Sequence, residues 1–306
     1  MRSLRPWGGC CTAGSRSRAS SLSEGIRLAG ERLDVELVKR NLAPSRERAR
    51  AYVLEGRVYV DGEPRLKAGC AVPPGAGIEV RGEPLPYVSR GGLKLAAALD
   101  KFRVDVSGKS ALDSGASTGG FTDCLLQRGA ARVYAVDVGY GQLAWRLRND
   151  PRVVVLERTN LRYLTPEKLG ARVDVVTLDV SFISLARVWP AVHALAAPSA
   201  AVLSLIKPQF EAGRARVGKR GVVKDPSTHL DVILRLCDQA VSLGFSVAGL
   251  SYSPITGPEG NIEFWMYAIA PPSLVPPLGP DMVRARAVAV VEAAWIALGC
   301  GPADLT

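Results

Sequence analysis

The stretch ALDSGASTGGFTDCLL, residues 111–126, decides how this chain is read. An apolar strand closes at Asp113, a glycine-rich turn runs from Gly115 to Gly120, and a helix begins at about Gly119. Glycines in such a turn let the backbone come close to a ligand, and a helix start presents free N–H groups. The spacing is not G-x-G-x-x-G, which speaks against a nicotinamide cofactor. The following segment, VYAVDVGYGQ (133–142), carries Asp137 at its strand end, where an acid can accept bonds from ribose hydroxyls. A short glycine loop with that acid suits an adenosine-containing cofactor that has no pyrophosphate. A plain strand-to-helix turn is the alternative reading of the loop alone.

Outward from this point, strand-like and helix-like segments alternate. Strands are expected at 110–113, 132–137, 153–156, 173–179, 201–206, 246–253 and 263–269, with helical patterns between most of them. That alternation predicts an α/β fold, a mostly parallel sheet with helices on both faces. No helix separates the last two strands, so an antiparallel hairpin at one edge is expected. After Pro271 a proline-rich joint leads to an amphipathic helix, Met282 to Leu298.

Upstream lies a different pattern. RLDVELVKRNL reads as a helix ended by Pro44, Ser45 as the N-cap of a second helix, and RVYVDGEP as a strand with an Asp61-Gly62 hairpin turn. This small α+β unit gives way to the linker EPLPYVSRGG (83–92). The expected division is 1–28 as an extension, 29–83 as the small domain, 84–91 as linker, 92–271 as the large domain, and 272–306 as joint and tail helix. The extension is rich in Ser, Gly and Arg and lacks the apolar core of a secretory signal. It reads as disordered, with a transit peptide as the other possibility.

The chain carries 39 Lys and Arg against 29 Asp and Glu, a formal charge of +10, which suggests an anionic partner. Nucleic acid leads, with an anionic membrane surface as the rival. Six scattered cysteines form no C-x-x-C pair, and the two histidines are His193 and His229, so no zinc site or other metal is expected. This cysteine usage fits a reducing cytoplasm. The apolar stretch 188–206 is broken by Pro190, His193 and Pro198 and reads as helix, turn and buried strand, not as a membrane span.

Ionisable residues stand at several strand ends. Lys94 follows the linker, Asp179 closes VDVVTLD, Lys207 closes AVLSLIK, and Glu263 lies in GNIEFW. In an open α/β sheet, ligands bind beyond the carboxyl ends of the strands, so Asp179 and Lys207 should face the reactive end of a bound cofactor. A single charge closing a strand is as often only a solvated end. Phe182 in SFISL fits either a stacking surface for a base turned out of RNA or a core position. The loop QFEAGRARVGKRGVVKD (209–225) reads as a mobile basic lid over RNA, or as a merely solvated charge run.

The segments PYVSRGGLKL (86–95), LDSGASTGGFTD (112–123), VDVGYGQLAWRLRNDPRVVVLERTN (136–160), LDVSFISL (178–185), IKPQFE (206–211) and GPEGNIEF (257–264) together resemble the TlyA family. These are ribosomal-RNA cytidine-2′-O-methyltransferases, also labelled hemolysins, within the wider FtsJ-like fold. RLDVELVKRNLAPSRERARAYVLEGRVYVDG (32–62) is similar to the RNA-binding domain of a small-subunit ribosomal protein and of pseudouridine synthases. The resemblance implies a Rossmann-like S-adenosylmethionine-dependent sheet preceded by an α+β RNA-binding domain. It implies a Lys-Asp-Lys-Glu tetrad at Lys94, Asp179, Lys207 and Glu263; a ribose hydroxyl needs a base to take its proton, and Lys207 is the expected one. Cofactor contacts would fall to Asp113, Gly115, Ser117, Thr118, Gly119, Gly120, Phe121 and Asp137. RNA contacts would fall to Arg32, Arg46, Arg48, Lys67, Arg90 and Phe182. The implied partner is ribosomal RNA in ribosomal subunits, without stable membrane association and with no oligomeric state indicated. Some members carry an R-x-W-V linker where this chain reads Leu85-Pro86-Tyr87-Val88. A membrane-active protein is the rival class, with the tail helix as its one candidate element. A ribosome-assembly factor without turnover is the third reading, which the intact tetrad opposes.

Overall fold

The computed structural model describes residues 30–54, 56–82, 85–257, 259–273, 275–301 and 303. The extension at 1–28 lies outside the described residues, as do positions 83 and 84 of the linker. The N-terminal unit runs β1 (Glu31–Arg32), α1 (Leu33–Lys39), α2 (Arg46–Leu54), β2 (Val58–Val60), β3 (Glu63–Pro64), β4 (Ala71–Val72) and β5 (Ile78–Val80). β1 pairs with β4, and β2 lies between β3 and β5. Leu33, Leu37, Val53, Val58, Val60 and Val72 close its small core. Ser45 Oγ accepts the Arg48 N–H at 3.2 Å, the expected cap. Asp61 and Gly62 both take positive φ, 51° and 82°, as a two-residue hairpin turn requires. The first helix stops before Pro44. Asn41 adopts a left-handed conformation, φ 56°, and the Leu42 and Ala43 N–H groups turn back to the Leu37 carbonyl.

The larger unit continues with α3 (Gly91–Phe102), β6 (Ser110–Ser114), α4 (Gly120–Gln127), β7 (Arg132–Val136), α5 (Trp145–Arg148), β8 (Val153–Leu156), α6 (Pro166–Leu169) and β9 (Val173–Leu178). It ends with α7 (Trp189–Leu195), β10 (Ala196–Ile206), α8 (Pro208–Glu211), α9 (Pro226–Ser242), β11 (Ser246–Tyr252), β12 (Phe264–Ile269) and α10 (Pro280–Ala297). Its sheet has seven strands in the order β11-β12-β10-β9-β6-β7-β8. All neighbours are parallel except β12, which runs against both β10 and β11. The expected α/β architecture with its antiparallel strand pair at one edge is therefore present. The chain builds outward from β6 in one direction, then returns to β9 and builds in the other. That reversal opens a crevice at the carboxyl ends of β6 and β9.

Stretch 188–206 folds as α7 and β10, as read, and no helix among the described residues is long and apolar enough to cross a membrane. The tail helix α10 buries Val283, Ala287, Val291 and Ala294 along one face, in the same apolar cluster as Leu230, Ile233 and Leu236 of α9. Trp295 Nε1 donates to His229 Nδ1 at 3.1 Å and ties the two helices further. The apolar stripe that a membrane-active helix would need is thus already used for packing.

Candidate active site

Glu263 directly precedes β12, and because β12 is antiparallel, its beginning lies beside the ends of β9 and β10. Asp179 and Lys207 follow those two strands at once. Lys94 arrives from the first turn of α3, which rests on the linker: a methyl group at Gly92 would lie 2.2 Å from Tyr87 Cγ. The four ionisable residues so delivered form two ion pairs. Lys94 Nζ meets Glu263 Oε2 at 2.5 Å, and Lys207 Nζ meets Asp179 Oδ1 at 2.5 Å. Lys207 Nζ also donates to Ser181 Oγ at 2.9 Å. Burial pushes the Glu263 carboxyl above its usual range; Lys94 pulls it down, the Asp179 charge pushes it up again, and Lys207 lowers it. Both partners of the other pair therefore act on Glu263, which makes the four one electrostatic unit.

Beside them opens a cavity of about 610 Å³, large enough for a nucleoside-sized ligand. Gly115, Ser117, Asp137, Asp179 and Phe182 line it. Ser117 stands at φ 48° and donates its N–H to Asp137 Oδ2 at 2.8 Å, while the Gly139 N–H donates to Oδ1 at 2.7 Å. The carboxylate of Asp137 is thereby aimed and partly neutralised, with lone pairs left for hydroxyl donors. Gly115, at φ 85°, is required by close approach: a Cβ there would lie 2.4 Å from the Asp179 carbonyl oxygen.

The remaining sequence-derived cofactor residues fall outside this cavity wall. Asp113 is fully buried under the loop, where it accepts from Thr122 Oγ1 at 2.7 Å and Thr177 Oγ1 at 3.4 Å. Burial pushes its carboxyl up to about 7, with Thr122 opposing and the Asp179 charge adding to the rise. Phe121 turns its ring inward, 5.7 Å from that of Trp265. Thr118 uses its carbonyl to accept the Ala144 N–H at 3.2 Å. Gly119, φ 96°, ends the turn beneath Leu143 and Leu147, and Gly120 opens α4 against Gly91 and Gly92. These residues shape the loop from behind. Sequence reasoning missed Gln142, Thr159, Asn160, Ser181 and Arg162, all in the cavity wall. Thr159 and Asn160 lie just beyond β8, a strand end that could have been read like the others.

Phe182 is not a core residue. Its side chain is 90% exposed at φ 64°, with the Phe210 ring 5.0 Å away. In the small domain, Arg32, Arg46 and Arg50 all converge on Asp34, at 2.9, 3.1 and 3.0 Å. Burial opposes ionisation of Asp34, yet the three guanidinium groups hold its carboxyl well below the usual range. One buried acid thus gathers three half-exposed cations. Arg48 lies over the Tyr52 ring at 5.1 Å, Lys67 is exposed, and Arg90 sits half-buried at the start of α3. In the loop 209–225, expected as a mobile basic lid or a solvated charge run, Asn261 bonds the backbone at Gly221 and Val223. No cluster of metal-ligating side chains occurs among the described residues.

Residues 87–269 match the model of the FtsJ-like methyltransferase family, and residues 31–78 match that of the S4 domain. YqxC of Bacillus subtilis is 51% identical over 238 residues, 78% of this chain and 85% of its own. The 16S/23S rRNA (cytidine-2′-O)-methyltransferase TlyA of Mycobacterium tuberculosis is 51% identical over 237 residues, 77% of this chain and 88% of its own. A solved structure of a protein called a hemolysin, from Streptococcus thermophilus, superposes with a TM-score of 0.70 at 41% identity, covering 89% of this chain and 98% of that one.

Proposed function

Because the chain belongs to the FtsJ-like methyltransferase family, in its TlyA group with an N-terminal S4 domain, we propose that it methylates the ribose 2′-hydroxyl of a cytidine in ribosomal RNA, using S-adenosylmethionine. The convergence of Lys94, Asp179, Lys207 and Glu263 into two coupled ion pairs, of which Asp179 lines the cavity, carries this reading. The residues present fit the cofactor. Asp137 offers acceptor lone pairs for ribose hydroxyls, and the Asp179 carboxylate adds negative charge where a sulfonium would be welcome.

When bound, S-adenosylmethionine supplies an electrophilic methyl group. The chain's own residues must hold the ribose and remove its proton, since a hydroxyl is a poor nucleophile. Lys207 is the residue assigned to take that proton at Nζ, for which it must enter the step as the neutral amine, its ammonium proton lost beforehand to solvent; Asp179 then holds the ammonium that results. Ser181 Oγ fixes the direction of Nζ. Lys94 and Glu263 form the fixed second pair that shapes the field around the first. Phe182, exposed at the cavity mouth, supplies a surface on which an unstacked base can rest.

The S4 domain is assigned to residues 29–83, the linker to 84–91 and the catalytic domain to 92–271, with α10 of segment 272–306 packed on it. Arg32, Arg46, Arg48, Lys67 and Arg90 are assigned phosphate contacts that position the enzyme without reading sequence. Ribosomal subunits in the cytoplasm are the proposed partner. The test is transfer of labelled methyl groups to purified ribosomal subunits, followed by mapping of 2′-O-methyl positions in RNA from cells with and without the gene. Mapped methyl groups absent only without the gene support the reading; identical maps overturn it.

A further inference from the structure

The loop between α8 and α9 is built into the catalytic domain by one side chain. Asn261 is 2% exposed. Its Oδ1 accepts the Val223 N–H at 3.0 Å, and its Nδ2 donates to the Gly221 carbonyl at 2.9 Å. The loop closes on itself as well: Gly218 N–H reaches the Val222 carbonyl at 3.0 Å, and Gly221 N–H the Gly218 carbonyl at 2.8 Å. A buried amide that satisfies a donor and an acceptor of the same segment acts like one rung of a sheet. Two residues further on stands Glu263, so the loop is referenced to the ionisable cluster through a short, rigid piece of chain.

Between this loop and the end of α10 lies a second cavity of about 720 Å³, separate in its lining from the first. Lys219, Arg220 and Lys224 stand in its wall against one acid, Glu259. Val222 and Trp295, with the little that Val223 and Ile262 expose, give it an apolar side. None of the three cations has a hydrogen bond or ion pair among the described residues, whereas Arg216 of the same loop is paired with Asp231 at 2.6 Å. A solvated charge run has no need of a buried clamp or of a concave wall. Unpaired cations on a fixed backbone, facing an apolar surface, are the elements of a groove for single-stranded nucleic acid: phosphates meet the cations and bases cover the apolar side.

We propose that this cavity is a second RNA site that holds the backbone of a single-stranded stretch of the substrate RNA, and that Asn261 is the positioning residue that sets its distance from the reacting end. The proposal rests on the reading of the substrate as RNA. The site takes a phosphodiester strand, not a duplex, because the cations crowd one short loop.

The decisive comparison uses the full chain and a fluorescent oligouridine as probe, beside methyl transfer to ribosomal subunits. Replacing Lys219, Arg220 and Lys224 together by Ala should reduce the dependence of log affinity on log salt by about 2, as loss of three phosphate contacts on a single strand implies. It should raise KM for subunits about tenfold and leave kcat and cofactor affinity in place. Asn261→Ala should weaken oligouridine binding in the same direction, and combining it with the triple change should add little, since both act through one loop. Retained cofactor binding shows that each variant has folded. Unchanged oligouridine affinity and salt dependence in the triple variant would overturn the site, and fully additive losses would overturn the role of Asn261. If the unaltered chain binds oligouridine through these cations but transfers no methyl to subunits, the strand site stands and the activity reading falls.

Discussion

Lys94 and Glu263, 169 positions apart in the chain, meet through Nζ and Oε2 at 2.5 Å with both side chains shut off from water. Removing one partner of such a pair strands a buried charge, a loss of about 3 kcal/mol or more. Lys94→Met and Glu263→Gln should each lower the urea midpoint, while the double variant should be less destabilised than the sum of the two. Strict additivity would mean that the pair is not coupled. Methyl transfer should be lost in all three.

Lys207 should be dispensable for cofactor binding and indispensable for transfer. Lys207→Ala is expected to cut turnover by at least ~100-fold, the usual worth of a general base, with calorimetric affinity for S-adenosylmethionine largely intact. Lys207→Arg should fail as well, because a guanidinium does not give up its proton in proteins. Undiminished turnover in either variant removes Lys207 from the mechanism.

Phe182 presents the opposite balance, since an exposed ring adds little to folding. Phe182→Ala should change stability by no more than about 0.5 kcal/mol. It should reduce kcat/KM for RNA by roughly tenfold, the scale of one lost base-stacking contact. Phe182→Trp should restore what Phe182→Leu does not. Equal activity of the Leu and Trp variants would argue for a simple apolar contact instead of stacking.

Arg46 and Arg50 share the Asp34 carboxylate with Arg32. Arg32→Ala and Arg46→Ala should each lower the salt slope of subunit binding by about 1 and leave cofactor affinity untouched. Asp34→Asn should cost stability and also loosen RNA binding, because the three cations then lose their common anchor. Slopes that do not move would place these arginines off the RNA surface.

Asp113 imposes a pH dependence whose direction follows from its burial. Its carboxyl titrates at about 7 in the fold against an ordinary 3.8. Below about pH 4 folded and unfolded chains both keep the proton, and no penalty arises. As pH rises towards 7 the unfolded chain ionises first, so the fold loses stability across that window and the loss is complete above it. Asp113→Asn keeps an acceptor for Thr122 and removes the titration. Its melting temperature should therefore gain on that of the natural chain between pH 4 and pH 7; a constant difference would show that Asp113 does not titrate there.

The strand pattern was legible because most strands of the large sheet are apolar runs bounded by turn residues, and the match extends to the antiparallel pair at the edge. The four ionisable residues were legible as strand ends and as matches to a family. Their pairing, Lys94 with Glu263 and Lys207 with Asp179, was not, since nothing local says which carboxylate faces which ammonium. The glycine loop was legible as a turn, but not which of its side chains face the cavity. Asp113 and Phe121 sit within a motif that surrounds a ligand cavity, yet both side chains turn into the protein, and sequence adjacency cannot distinguish the front of a loop from its back. Asn261 went unnoticed because its partners are backbone groups 38 and 40 positions away, which carry no side-chain signature.

β12 enters the sheet last and out of order, sliding between β10 and the earlier-made β11. While the polypeptide is being made, β11 therefore has no neighbour to hold it, and the position beside β10 stands open until residues 264–269 arrive. Only then does the carboxylate that balances Lys94 reach its station. A chain without residues 263–269 would therefore lack both the partner of Lys94 and the strand that joins β10 to β11.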